Sequence, residues 1–131
     1  MTEPSRIGLT ADTMGKLEEM LAELNPATDE GGTKLIKFDI YRLVVSLAIK
    51  DRIKAPPLKE SSEANFRVTE LDEDRIFYSV LESDDIIPDG VSVYEYIERL
   101  AEQAITTLYD SYITTGQIPL TKYLTEKNEL S

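Results

Sequence analysis

Among the side chains able to do chemistry, carboxylates dominate. Asp72, Glu73 and Asp74, then Asp84, Asp85 and Asp89, crowd one short stretch. Oxygen ligands of this kind suit Mg²⁺ or Ca²⁺ when several converge. The order Asp84-Asp85-Ile86-Ile87-Pro88-Asp89 lacks the regular ligand alternation of a calcium loop, so the stretch reads as solvated turns and a helix N-terminus, with no metal. Two carboxylates can also hydrolyse a glycosidic bond, but that work needs a cleft and one raised pKa. Nothing linear marks such a pair. Gly31-Gly32 with Lys34 and Lys37 hints at phosphate recognition, yet it lacks the full spacing and the terminal Lys-Ser/Thr of a phosphate loop. It reads as a loop before a helix.

The chain holds no cysteine and no histidine. Disulfides, thiol nucleophiles, His-containing metal sites and histidine-based triads are thereby excluded. The expectation is a protein that is not an enzyme and has no cofactor. Seven tyrosines occur and no tryptophan. Tyr94, Tyr96, Tyr109, Tyr112 and Tyr123 lie in the last third, and Tyr109 and Tyr112 are the aromatics expected at an interface.

Charge is the strongest global signal. Fourteen basic residues face 25 acidic ones, a net of -11. Residues 1–59 hold nine of each sign, whereas residues 60–131 hold five basic and sixteen acidic side chains. All the imbalance sits in the second half. That half repels a duplex, because nucleic-acid affinity rests on Lys and Arg neutralising phosphates. It suits instead a protein partner with a basic surface, with Asp84, Asp85, Asp89, Tyr109 and Tyr112 as the expected contact residues.

Positioning these groups falls to helices. Thr10 is a suitable N-cap for a segment in which Met14, Leu17, Leu21 and Leu24 share one face, closed by Asn25-Pro26. Phe38 to Ile53 is the most apolar helix, its broad stripe fit for a central position, and Ala55-Pro56-Pro57 ends it. A third helix starts at Thr69 or Leu71 and carries Ile76, Phe77, Val80 and Leu81. Ser92 with Glu95 makes a capping box, flanked by a Val91–Tyr96 staple, and opens a helix running to about Tyr112. Ser5 to Leu9 alternates as a short strand would, residues 65–68 read as extended, Pro119 to Leu124 has room for one turn, and the tail frays from about 125. The fold expected is mainly α, a compact bundle of about four helices with room for a short N-terminal β-strand. At 131 residues, 41% of them apolar, the chain makes one domain. The longest oily run, Leu43 to Ile49, is too short to span a bilayer. A cytoplasmic protein is expected, with a homodimer allowed.

Two resemblances follow from these segments. The strand around Arg6-Ile7-Gly8-Leu9 with the two following helices resembles ribbon-helix-helix DNA-binding dimers over residues 5–52. That resemblance places Arg6, Gly8 and Thr10 outward in a major groove, although Gly8 offers no side chain for reading. The order of an N-terminal helix, Lys37-Phe38-Asp39-Ile40-Tyr41-Arg42 leading into an apolar helix with Ala48-Ile49-Lys50, a Pro-containing turn, an acidic middle and Tyr94-Glu95-Tyr96 covers residues 10–112. It resembles the Dnd system-associated protein 4 group, small accessory proteins of DNA phosphorothioation systems. This second resemblance implies a non-catalytic accessory in DNA-modification-linked antiviral defence. The dimeric DNA-binding regulator is the alternative.

Overall fold

The computed structural model describes residues 3–25 and 36–118. The Gly31-Gly32 loop, the turn expected at Pro119–Leu124, Tyr123 and the tail lie outside them. In chain order come β1 (Arg6–Thr10), α1 (Ala11–Leu24), α2 (Lys37–Lys50), β2 (Ser62–Arg67), α3 (Val68–Leu71), α4 (Ile76–Glu82) and α5 (Val93–Thr115). The protein is mainly helical, as its apolar spacing dictates, and the N-terminal strand is real.

That strand pairs within its own chain. β1 and β2 are antiparallel, with Arg6 opposite Arg67, Ile7 opposite Phe66, Leu9 opposite Glu63 and Thr10 opposite Ser62. Gly8 on β1 faces two residues, Ala64 and Asn65, so β2 carries a bulge. Glycine is required there, because a Cβ on Gly8 would stand 1.7 Å from the Glu63 carbonyl oxygen.

Three faces meet over this ribbon. Ile7, Leu9 and Phe66 turn inward to join Met14, Leu17 and Met20 of α1, Ile40, Tyr41, Val44 and Val45 of α2, and Ile97, Leu100, Ala101 and Ile105 of α5 in one buried cluster. α2 is central, as its broad stripe required. Its Tyr41 stacks on Phe66 at 4.5 Å between ring centroids, and its hydroxyl donates to the Gly8 carbonyl at 2.9 Å.

The ends of the elements differ from the sequence expectations in instructive ways. α2 stops at Lys50, not Ile53, because Arg52 adopts a left-handed φ of 53°. α5 continues to Thr115, where Gly116 at φ 77° caps it. The single third helix expected is two, α3 and α4, broken at Asp72–Arg75. Ser92 Oγ does accept from the Glu95 amide at 3.3 Å. The Val93 and Tyr94 amides go to the two carboxylate oxygens of Glu3, at 3.1 and 3.0 Å. An anion at a helix N-terminus is favoured by the free N–H groups and their dipoles.

Candidate interaction surface

The break between α3 and α4 is built by Asp72, which is only 3% exposed. Its Oδ1 accepts from the Phe77 amide at 3.0 Å, and its Oδ2 from the Tyr78 amide and the Tyr94 hydroxyl, both at 2.9 Å. Three donors compensate the burial of the charge. The carboxylate thus caps α4 and ties its first turn to α5. Arg75 folds back at φ 58°, with its guanidinium 4.2 Å from the Tyr78 ring centroid. Burial, then the bond to Asp72, push the Tyr94 phenol well above its ordinary pKa.

Held this way, α4 buries Leu81 and turns Ile76 and Val80 to solvent, 56% and 43% exposed. Beside it an open cleft of about 470 Å³ runs between α2 and the α3–α4 turn, lined by Phe38, Arg42, Glu70, Glu73 and Asp74. Arg42 spans its inner wall: Nε donates to the Leu71 carbonyl at 3.2 Å, and the guanidinium lies 6.0 Å from the Phe77 ring centroid. Residues 70–89 contain eight carboxylates and one cation, Arg75.

The five expected contact residues do not form one site. Asp84 is bound by Arg52 Nη2 at 2.8 Å, while Asp85 and Asp89 are exposed in the turns before α5. Tyr109 lies about 24 Å farther along that helix, at about 1.5 Å per residue. Tyr109 and Tyr112 stack on each other at 6.2 Å and are half-buried. Tyr109 also packs toward α1, with Lys16 Nζ 5.5 Å from its ring. A hydrogen bond to Glu19, and secondarily desolvation, raise its pKa. Tyr109 thus faces the α1–α5 contact, with Tyr112 stacked beside it.

For the ribbon residues, Arg6 is exposed as expected, but the outward placement of Gly8 and Thr10 needs correction: both are buried. One edge of β1 pairs with β2, and the other meets α5. There the Gly8 amide donates to Glu98 Oε2 at 2.8 Å and the Thr10 amide to Glu102 Oε1 at 3.1 Å. Glu102 Oε2 accepts the hydroxyls of Thr10 and Thr13, both at 2.9 Å. Two glutamates therefore seal the strand edge that a second copy would need.

Two further clefts carry less chemistry. One of about 210 Å³ at the start of α1 mixes Lys16, Lys59 and Arg99 with Asp12, Glu60 and Glu102. The Glu102 oxygens there are already committed to Thr10 and Thr13, which leaves them poorly placed as an acid or base. The other, about 280 Å³, is an apolar groove between α2 and α5 lined by Val44, Leu47, Ala48 and Leu108. Among the described residues no three acidic side chains converge on a metal-sized point, and no helix is long and apolar enough to cross a membrane.

No family model matches the chain, and no curated protein or solved structure matches it either. The resemblance to the phosphorothioation accessory group therefore rests on the residue pattern alone. Sequence reasoning missed Glu3, Glu98 and Glu102. The signal for the last two was their spacing of four, one step beside the buried stripe Ile97, Ala101 and Ile105.

Proposed function

We propose that the chain is a non-catalytic acidic accessory protein that acts by binding a protein partner with a basic surface. The observation that carries this reading is the one-sided charge of residues 70–89, most of it exposed beside the solvent-facing side of α4. Opposite charges across such a contact speed and select the encounter more than they tighten it. The resemblance noted above suggests a cytoplasmic setting in DNA-modification-linked defence, with a larger nuclease or helicase component as the basic partner. A homodimer through this surface would set like charges against each other.

The test is capture from native lysate at low ionic strength. A stoichiometric complex with a basic protein is expected, released as salt rises. Recovery of no stoichiometric protein, or of one indifferent to salt, would remove the reading.

A further inference from the structure

Ile76 and Val80 differ from the other exposed large apolar side chains. Ile36 and Ile113 stand singly on α2's N-cap and late α5, whereas Ile76 and Val80 are one turn apart on one helix face. Exposed apolar residues standing singly need no explanation, whereas two on one helix face inside a charged rim offer a small apolar contact. That rim is mostly acidic, its one cation being Arg75, whose guanidinium lies over the Tyr78 ring. Glu73 and Asp74 precede the helix, Glu82 ends it and Asp85 follows, all exposed.

We infer that this face of α4 docks a segment of a basic partner, an apolar side chain on Ile76 and Val80 with Lys or Arg on either side. The inference rests on the partner-binding reading above and names its contact. Charge selects the occupant. A second copy would bring a net of -11 and the same acidic rim against itself, while flanking cations on a partner would meet Glu73 and Asp74 at one end and Glu82 and Asp85 at the other. The cleft at the start of α4 extends the match. A Lys or Arg chain entering it would lay its methylenes on half-buried Phe38 and its charge among Glu70, Glu73 and Asp74, three carboxylates against the one lining cation among the described residues, Arg42, which is turned to the Leu71 carbonyl and the Phe77 ring. The geometry is held in advance by Asp72, so docking need not order α4 first.

The probe is an amphipathic helical peptide of leucine and lysine, titrated into ¹⁵N-labelled full-length protein at low salt. A peptide with every lysine replaced by glutamate is the control. Amide shifts concentrated on residues 73–82 are expected with the lysine peptide and none with the control. The double substitution I76S/V80S, on exposed positions, should keep the thermal transition and lower affinity about tenfold or more. Binding centred on another face, or undiminished in I76S/V80S, overturns this inference and leaves the basic-partner reading standing. Self-association abolished by I76S/V80S overturns it too, in favour of a second copy. No binding of the lysine peptide at all would remove both.

Discussion

The Asp72 carboxylate and the Tyr94 hydroxyl meet inside the protein at 2.9 Å, and this bond joins the α3–α4 turn to the first turn of α5. Two amides of α4 share the same carboxylate. Asp72→Ala strands two partly buried amides and the buried Tyr94 hydroxyl, and should cost about 2–4 kcal/mol in urea unfolding. Hydrogen exchange gives the sharper readout. The amides of residues 77–82 should lose protection well before those of α2. Uniform loss across the chain would show that Asp72 supports the whole core and does not specifically hold α4.

Alkaline pH should unfold the protein through two phenols. Burial first, then the charges of Glu98 and Glu102, raise the Tyr41 pKa. Burial first, then Asp72, raise that of Tyr94. In the unfolded chain both ionise near about pH 10. Above that pH the unfolded state binds fewer protons than the folded one, so stability falls as pH rises and is fully present below it. Urea midpoints should be flat from neutrality to about pH 10 and then decline. Tyr41→Phe should blunt the decline, while costing about 1–2 kcal/mol at neutral pH through the unpaired Gly8 carbonyl.

Glu98 and Glu102 hold the N-terminal strand from the side opposite β2. Glu102→Ala removes the partner of one amide and two hydroxyls, and about 2–3 kcal/mol should go with it. The Thr10 and Thr13 amides should exchange faster. Glu98→Ala, which frees only the Gly8 amide, should cost less. Equal stability of the wild type and both variants would show that water replaces these carboxylates.

Two glycines should respond in opposite directions to the same methyl group. Gly8→Ala drives a Cβ into the Glu63 carbonyl, a backbone atom that can move only with the strand. A loss of at least about 3 kcal/mol is expected. Gly15 lies exposed within α1, with nothing within 4 Å of a built Cβ. Gly15→Ala should stabilise by about 0.5–1 kcal/mol. Melting temperatures of the two variants, moving apart from the wild type, check both.

The helices were legible because their apolar spacing is strong. Met14, Leu17, Ile40, Val44, Ile97 and Leu100 are all buried where the pattern put them. Thr10 caps α1 and Ser92 caps α5, both through their side chains. β2 was legible only in part, because a strand with one buried residue, Phe66, and a bulge shows no alternation. The contact residues fared differently. Asp84, Asp85 and Asp89 stood out through acidity, but acidity does not report distance, and Tyr109 and Tyr112 proved to lie far along α5. Glu3, Glu98 and Glu102 were hidden because each acts across about ninety residues, on amides that any sequence possesses.

Those three glutamates also impose an order on biosynthesis. α1 leaves the ribosome with Thr10 in place, yet the carboxylate that closes on Thr10 is 92 positions behind. At about 5–20 residues per second, the first strand waits roughly 5–20 seconds for α5. Through that interval the Gly8 and Thr10 amides that α5 later closes upon stay open to water.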